Sequence, residues 1–431
     1  MSAFMREFDV DCVRFDSIRS IIEDIPVIDI HSHLGTGGVW QARDLTDIMF
    51  YHWLGTELRN AGCPEHVCLS SQKGAELKAK DRVRIAVPYL RAIRNTSNYW
   101  AFMGIMSELY GIEEIDDHNW ERAFEVVAER ANEPTWETEV LRRARIEKVA
   151  IHAATSPRNA SPYFNYLLGE QLYGVGLVSS AEAFEKVTGS SPKCASDLEQ
   201  ILVAHIERQA SATGSTALHL WLPATWRYTE TNMDDVEDLV KRWLSGVMLT
   251  DSERNRLSSF TADIVAREAG KQGLVVQVFH GSIAYEGGPQ VTTWHPYFLR
   301  TLIVHIGKHP KTKFDLFLGT RAASHEATGL ARLYPNLSVS GAWWHGFTPT
   351  TLVEFFRDRL EMLPMTRWNA FYSDAYCVEW CLGKLLVTKN RLAVALTGLV
   401  DEHLLDESDV ANIAQAVLYE NPKRDYLGAT K

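Results

Sequence analysis

Two histidines one residue apart, His31 and His33, have the clearest capacity for chemistry in this sequence. A mainly apolar run, residues 27–30, leads into them, and a glycine-rich segment, residues 34–38, follows. Side chains two residues apart in a strand point the same way, so both imidazoles can offer a nitrogen to one metal ion. The alternative is a pair of hydrogen-bonded histidines beside a turn. Their position between the first predicted strand and a glycine-rich loop favours metal ligation.

A carboxylate near the other end of the sequence can complete such a site. Asp374 closes a β-rich run, residues 368–374, which is the eighth such run along the chain. In a closed barrel the eighth strand lies beside the first, so Asp374 can reach a metal ion held by His31 and His33. A carboxylate with one free oxygen can also move a proton, which makes Asp374 a candidate base. Asp374 is also suited to cap a helix over residues 375–384, and the two roles are compatible.

The elements that must position these residues alternate between strand and helix. Eight strands are predicted, at residues 26–33, 146–153, 173–179, 216–223, 273–280, 313–320, 336–343 and 368–374. Helical patterns between them include residues 263–272, 294–308, 323–333 and 350–363. Apolar strands that alternate with helices eight times are typical of a parallel (β/α)8 barrel, or TIM barrel. In such a barrel the catalytic side chains gather at the carboxyl ends of the strands.

Other strand ends carry further candidates. His280 ends the fifth predicted strand and is either a third nitrogen ligand, a substrate contact or a hydrogen-bonded core histidine. Arg321 follows the sixth, where it can bind an anionic substrate group or form a surface salt bridge. Trp343 and Trp344 end the seventh and can form an aromatic wall for a sugar ring. Because strand neighbours face opposite ways, one tryptophan lines the site while the other packs outward.

The segment between the first two predicted strands is too long for one crossover helix. It contains helical stretches, including residues 45–61 and 121–130. We therefore predict a barrel domain formed by residues 1–39 and 146–431, with residues 40–145 as an inserted helical subdomain.

His52 and Trp53 lie near the beginning of this insertion. Most of the aromatic residues around them are expected in the core because of their helical spacing. His52 is polar and can instead project from the insertion over the mouth of the barrel.

Composition excludes several classes of function. The 431 residues carry a formal net charge of -11 without a block of basic residues, which argues against nucleic-acid binding. The sequence contains neither an apolar stretch of about 18 residues nor an apolar N-terminal signal segment, so we expect a soluble cytoplasmic protein without a membrane partner. Six cysteines are too few for a disulfide framework. Enzymes of this size commonly form a homo-oligomer, although nothing in the sequence demonstrates one.

The motifs together resemble those of the uronate isomerases, a family of the amidohydrolase superfamily. The matching residues are His-x-His-Leu at 31–34, Tyr51-His52 at the start of the insertion, Gly341-Ala342-Trp343-Trp344, and Ser373-Asp374-Ala375. The resemblance covers roughly residues 26–384 and is strongest at the first, seventh and eighth predicted strands. It implies a divergent member with a distorted TIM barrel of the metal-dependent amidohydrolase type and a helical insertion after the first strand.

The resemblance also implies a metal centre and a reaction. One divalent metal ion, commonly zinc, would be bound by His31, His33 and Asp374. The implied substrate is a uronic acid or a related sugar acid, such as glucuronate, which is converted between its aldose and ketose forms. A proton moves between C2 and C1 through an enediol(ate), with Asp374 as base and the metal ion polarising sugar oxygens. His52 matches a histidine that the family places near the metal ion and the substrate oxygens.

The sequence departs from the family pattern in the predicted substrate pocket. An arginine commonly lies two positions after the eighth-strand aspartate, and Tyr376 occupies that position here. A Tyr-His-Tyr pattern in the insertion has become Tyr51-His52-Trp53. We therefore expect Tyr376 and Trp53 to contact the substrate and Arg321 to bind its carboxylate. The predicted metal ligands match the family pattern, whereas residues of the predicted substrate pocket differ from it.

Two other functions compete with the isomerase. A mononuclear metal-dependent hydrolase or lyase of the same superfamily would use the ion to activate water and Asp374 to take its proton. A sugar-binding or scaffold protein that kept the barrel would have no activity. The presence of all three metal ligands argues against this last function, because a site without activity should lose them early.

Overall fold

Secondary structure in the computed structural model covers most of the chain. The described residues are 12–68, 77–153, 161–169, 180–222, 226–284, 290–292, 297–343 and 347–428. Their strands are β1 Val27–Asp29, β2 Ile146–His152, β3 Tyr163–Leu168, β4 Ala217–Trp221, β5 Val275–His280, β6 Ser282–Ala284, β7 Gln290–Thr292, β8 Lys313–Leu318, β9 Leu337–Ser340 and β10 Trp368–Asn369.

Helices precede, separate and follow these strands. The α-helices are α1 Cys12–Asp24, α2 Leu45–Met49, α3 His52–Asn60, α4 Glu65–Cys68, α5 Ala79–Leu90, α6 Ser97–Tyr110, α7 Trp120–Ala131, α8 Trp136–Arg143, α9 Ala181–Thr188, α10 Ala195–Thr213, α11 Met233–Leu244, α12 Asp251–Gln272, α13 Tyr297–Lys308, α14 Ser324–Leu333, α15 Pro349–Met362, α16 Val378–Asp401 and α17 Val410–Gln415. Two π-helical turns, Ala416–Glu420 and Lys423–Leu427, follow α17. Among the helices of the described residues, none is both long and apolar enough to cross a membrane.

The first compact unit, unit 1, consists of Met1–Ile151, Thr348–Val353 and Phe371–Tyr419. It contains β1, which pairs in parallel with β2. Its central element is α16, a 24-residue helix with buried side chains along most of its length. Helices α1, α6 and α8 pack against α16. A helix that is apolar on all sides is stable only when it is surrounded in this way.

A buried carboxylate fixes the beginning of α16. Glu379 is 0% exposed, and burial raises its pKa. The carboxylate accepts hydrogen bonds from the Ala42 backbone N–H at 3.0 Å, Trp136 Nε1 at 3.0 Å and the Tyr110 hydroxyl at 3.3 Å. Since a buried carboxylate must be hydrogen-bonded, these three donors hold α6, α8 and the segment before α2 against the start of α16.

The second compact unit, unit 2, consists of His152–Phe347, Glu354–Ala370 and Glu420–Lys431. Its parallel strands follow the order β3-β4-β5-β8-β9-β10, and β6 and β7 form a separate antiparallel pair. Helix α12 packs against α10 and α11, and α13 packs against α14. Unit 2 therefore carries the repeated alternation of strand and helix that the sequence predicts.

Most predicted strands coincide with observed ones, and three differ. The first and eighth predicted strands are shorter than expected, because regular pairing ends at Asp29 and at Asn369. The third, residues 173–179, lies outside the described residues. The third parallel strand in the structure is β3, which the sequence analysis did not predict and whose otherwise apolar run contains Asn165. The Asn165 side chain is buried and donates to the Thr213 carbonyl at 2.8 Å, so it is compatible with a core strand.

The division into a barrel and an inserted subdomain of residues 40–145 stays a prediction. The described residues between Leu45 and Arg143 are organised in helices, as expected for that segment. By their contacts, these helices belong to one compact unit together with β1 and α16.

A buried hydrogen-bond network joins three strands of unit 2. Asp315 on β8 is 1% exposed, and its Oδ2 accepts hydrogen bonds from Ser340 Oγ at 2.7 Å, Asn369 Nδ2 at 3.2 Å and the Tyr426 hydroxyl at 2.6 Å. Burial raises the pKa of Asp315 from 3.8 to about 6, although its hydrogen bonds act in the opposite direction. The negative charge of Asp425 also raises this pKa.

We predict that Asp315 makes unit 2 less stable as the pH rises from about 4 to about 6. In this range the unfolded chain releases the Asp315 proton while the folded chain keeps it, so rising pH favours unfolding. A rise in pKa from 3.8 to about 6 corresponds to about 3 kcal/mol in the free energy of unfolding. Urea unfolding gives the free energy of unfolding of the wild type and of Asp315→Asn at each pH. The difference between the two proteins should change by about 3 kcal/mol between about pH 4 and about pH 6.

The control for this prediction is Asp238→Asn, because the Asp238 side chain is 81% exposed. Its stability should follow the wild-type pH profile. Parallel profiles for the wild type and Asp315→Asn would show that Asp315 ionises in the folded protein as it does in the unfolded chain.

Candidate active site

Three predicted metal ligands come together within unit 1. His33 Nε2 lies 3.0 Å from Asp374 Oδ1, and His31 Nε2 lies 3.7 Å from the same oxygen. One nitrogen from each histidine and one oxygen of Asp374 all lie within 4.8 Å of one another. The His31 side chain is fully buried, whereas those of His33 and Asp374 are 29% and 13% exposed. The group therefore has a buried side and an accessible side.

Backbone hydrogen bonds hold the two halves of this group together. The His33 N–H donates to the Ala375 carbonyl at 2.8 Å, and the Asp374 N–H donates to the His31 carbonyl at 2.9 Å. Asp374 has a φ of 51°, which lies in the left-handed region. Aspartate is one of the few residues other than glycine that tolerates this conformation. An unfavourable backbone conformation at a cluster of polar side chains is typical of a functional site.

A second aspartate, Asp29, binds the backbone beside these ligands through hydrogen bonds. Asp29 Oδ1 accepts hydrogen bonds from the Ser373 N–H at 2.8 Å and the His31 N–H at 3.3 Å. Burial raises the pKa of Asp29 to about 6, and these hydrogen bonds oppose that rise. The Ser32 hydroxyl donates to the Ala150 carbonyl on β2 at 2.6 Å. Side-chain hydrogen bonds thus fix the backbone next to the three candidate ligands.

Aromatic rings cover one side of the group. The Tyr376 ring stacks on His33, with centroids 4.8 Å apart and planes 11° apart. The Tyr51 hydroxyl donates to the Asp374 carbonyl at 2.8 Å, and its ring stacks on Trp380. Burial raises the pKa of Tyr51 and of Tyr376, so both phenols stay neutral at physiological pH.

The charge of Asp374 is stabilised in place. Burial by itself raises the pKa of Asp374, but the hydrogen bond with His33 and the electrostatic interactions with His33, Lys384 and His31 lower it below its usual value. Lys384 is on α16, and burial lowers its pKa while the charge of Asp374 raises it. The Lys384 ammonium lies 5.3 Å from the centre of the Tyr51 ring. The carboxylate is therefore ionised and acceptor-only, as a metal ligand or a base must be.

The donor set matches a divalent metal ion of the zinc type. Two imidazole nitrogens and one carboxylate oxygen are the protein ligands of many catalytic zinc sites, which leave a fourth position open. Among the residues that the structure describes, this is one of two such groups. The chemistry of the donors and their mutual distances both fit the group that the sequence predicts.

Three other predicted site residues lie in unit 2. His280 is buried, its ring stacks on Phe298, and burial lowers its pKa to about 3. Trp343 is buried, and its ring packs edge-on against Phe279. The Arg321 side chain is 65% exposed and forms an ion pair with Glu354 at 2.6 Å. Arg321 thus makes the surface salt bridge that the sequence analysis gave as its alternative role.

The remaining predicted site residues are less completely placed. Trp344 lies outside the described residues. His52 begins α3, and its side chain is also outside the described part of the chain. Trp53 lies on the same helix and is partly exposed.

Comparison with known proteins connects this site to a family. No family model matches the chain. The uronate isomerase of Brucella melitensis is 23% identical to it over 448 residues, which cover 94% of each protein. The crystal structure of uronate isomerase from Thermotoga maritima has a TM-score of 0.85 at 14% identity and covers 97% of this chain and 98% of its own. Glucuronate isomerase from Caulobacter crescentus also has a TM-score of 0.85, at 17% identity, and covers 100% of this chain and 97% of its own.

The chain is similar to uronate isomerases over nearly its whole length. Its likeness to the two solved structures shows the fold, so the predicted distorted (β/α)8 barrel is confirmed. The family resemblance predicted from the sequence is confirmed as well.

Sequence reasoning missed two residues that organise this site. Asp29 lies two residues before His31, so strand alternation places both on the same face. That spacing was available as a signal. Lys384 lies ten residues after Asp374 in a mainly apolar helix that also carries Lys389 and Arg391, so its charge is a weak signal until the packing is known.

We predict that Asp29→Ala destabilises the protein, whereas Asp29→Asn has little effect. Alanine removes the acceptor of two buried N–H groups, at a cost of about 1–3 kcal/mol each. Asparagine keeps an acceptor oxygen without the cost of burying a charge, so its free energy of unfolding should stay within about 1 kcal/mol of the wild type. Urea unfolding measures both changes. Equal losses in the two variants would show that the carboxylate does not act through these hydrogen bonds.

Proposed function

We propose that the chain is a metal-dependent uronate isomerase that converts an aldose uronic acid, or a related sugar acid, into the ketose. The observation that carries this proposal is the convergence of His31, His33 and Asp374 on one position in unit 1. It is supported by the likeness to uronate isomerases, which extends over nearly the whole chain.

We assign the three converging residues as ligands of a single divalent ion, with zinc as the favoured identity. Zinc accepts imidazole and carboxylate ligands together, whereas magnesium and calcium prefer oxygen alone. When bound, such an ion would polarise sugar oxygens and stabilise negative charge that develops on them.

Asp374 is proposed to move the proton. Conversion of an open-chain aldose into a ketose removes the proton from C2 and adds a proton at C1, while the hydroxyl proton of O2 is lost and O1 gains one. The intermediate is an enediol(ate), and a carboxylate within hydrogen-bond distance of both carbons can serve as base and then as acid. The Asp374 side chain is 13% exposed, so a substrate can reach it from the accessible side.

The other predicted residues complete the proposal. His52 is assigned to the substrate oxygens, on the basis of the resemblance. The proposed substrate contacts are Arg321, His280, Trp343, Trp344, Trp53 and Tyr376. Of these, Tyr376 has the clearest support, because its ring stacks directly on His33. Arg321 would have to exchange its ion pair with Glu354 for the substrate carboxylate.

The small-molecule sugar acid is the partner that this function requires. A location in the cytoplasm and self-association into a homo-oligomer stay predictions from the sequence.

The reaction can be tested with glucuronate and galacturonate in deuterated water. The zinc-loaded protein should form the ketose and place deuterium at C1, and the reverse reaction should place it at C2. Both are visible by proton NMR as a loss of the C–H signal. If a panel of uronates gives neither product nor deuterium exchange, the isomerase is excluded and hydrolase or lyase chemistry remains.

A second prediction concerns the base. Asp374→Asn should lower kcat by about 10²–10⁴-fold, because asparagine cannot accept the C2 proton. Asparagine also tolerates a positive φ, so the thermal unfolding temperature should change little. Asp81→Asn is the control, since Asp81 is a carboxylate on the surface of α5. Activity of Asp374→Asn within a few-fold of the wild type would contradict the assignment.

A further inference from the structure

Unit 2 contains a second group of two histidines and one aspartate, on helices rather than on strands. Asp263 lies on α12, His305 lies on α13, and His309 follows the last residue of α13. His305 Nδ1 lies 3.1 Å from Asp263 Oδ1, and His309 Nε2 lies 2.8 Å from the same oxygen. One ligand atom from each residue lies within 4.8 Å of the others. Residues four apart share one face of a helix, which explains why both imidazoles reach one carboxylate.

The other carboxylate oxygen is held by different donors. Lys308 Nζ lies 2.6 Å from Asp263 Oδ2, and the Tyr228 hydroxyl lies 2.9 Å from it. The same hydroxyl lies 3.0 Å from Oδ1, so Tyr228 contacts both oxygens of the carboxylate. The carboxylate therefore has a fixed orientation, with Oδ1 directed toward the two imidazoles. Outer hydrogen bonds of this kind orient the ligands of metal sites. Glu230 lies 3.8 Å from the Lys308 ammonium and offsets part of its positive charge.

A cavity of about 670 Å³ lies beside the group and is lined in part by Asp263, Lys308 and His309. Thr312 and Asn232 also line it and provide polar atoms. His305, in contrast, is 2% exposed. An ion bound between the three side chains would have protein on one side and room for water on the other, which is the environment of a metal ion with three protein ligands.

The distances are close to those that a metal ion requires. Bonds of about 2.0–2.2 Å from zinc to nitrogen and oxygen, in tetrahedral geometry, separate neighbouring ligand atoms by about 3.4 Å. To reach this value, the observed separations of 3.1 and 2.8 Å from Asp263 Oδ1 need to open by about 0.3 and 0.6 Å. Each imidazole must then present a lone pair instead of its N–H to the shared position.

We propose that Asp263, His305 and His309 form a second metal site, which binds a divalent transition-metal ion of the zinc class. The ion replaces the two histidine–aspartate hydrogen bonds and links α12 to α13. Mixed nitrogen and oxygen donors favour zinc over magnesium and calcium. The alternative is that the same residues form a hydrogen-bonded ion-pair cluster without a metal.

Metal stoichiometry tests this site independently of the first one. The full-length protein is stripped with a chelator, dialysed against zinc, freed of excess ion and analysed for zinc per chain by mass spectrometry. The double variant His31→Gln/His33→Gln removes the first group of ligands. We expect this variant to retain one zinc ion per chain, and the further substitution His309→Gln to reduce this to none.

A matched control is His325→Gln in the same double variant. His325 Nδ1 lies 3.1 Å from Asp358, so it is a histidine–carboxylate pair without a second imidazole. This control should keep the zinc ion. Asp263→Asn repeats the test with a side chain of the same shape, and thermal unfolding in chelator shows whether each variant folds.

Cobalt provides a measurement that needs no further substitution. In the double variant, bound Co²⁺ should give a visible absorption band, and its X-ray absorption spectrum should show two imidazole ligands. The proposal is overturned if the double variant binds no zinc, or if its zinc content is the same with and without His309. If the wild type binds one ion that depends on His309 but not on His31 and His33, the second metal site is supported. The assignment of a metal ion to the proposed isomerase site is then wrong.

Discussion

The candidate active site depends on the backbone conformation of Asp374. A φ of 51° ends the extended segment after β10 and directs the carboxylate toward His31 and His33. This conformation costs free energy in any residue other than glycine, so the surrounding structure must hold it. The segment after β1 holds it through hydrogen bonds of His31 with the Asp374 N–H and of His33 with the Ala375 carbonyl. The hydroxyl of Tyr51, the residue before α3, donates a further hydrogen bond to the Asp374 carbonyl.

The helices around α16 extend this constraint through unit 1. Glu379 lies five residues after Asp374 and accepts three hydrogen bonds from segments that the sequence places in the insertion or directly before α2. A buried carboxylate that lost one of these donors would carry a desolvation cost without compensation. Ala42, Tyr110 and Trp136 therefore fix the start of α16, the helix that follows Asp374.

The sequence predicts that His31, His33 and Asp374 come together, and the structure shows this convergence. Alternation along a strand places His31 and His33 together, and barrel closure brings Asp374 to them. Contacts between distant segments could not be derived in this way. The surface ion pair of Arg321 depends on Glu354, 33 residues later, and the burial of Asn165 depends on a carbonyl 48 residues away. The last strand is shorter than predicted because its pairing with β9 ends at Asn369, and an apolar pattern carries no information on where pairing ends.

The two groups of histidines and aspartate contain the same donors but differ in what surrounds them. In unit 1 the carboxylate lies beside neutral phenols and an accessible imidazole, and its side chain remains partly open. In unit 2, Asp263 Oδ2 already accepts hydrogen bonds from Lys308 and Tyr228, so it has no lone pair available for a substrate proton. Although the donors are the same, we therefore expect different roles. In the first group the carboxylate is expected to act as a base beside a metal ion, and in the second the bound ion is expected to link two helices. The two roles differ because the second carboxylate oxygen has different neighbours in the two groups. A motif of ligand residues in the sequence does not reveal these neighbours.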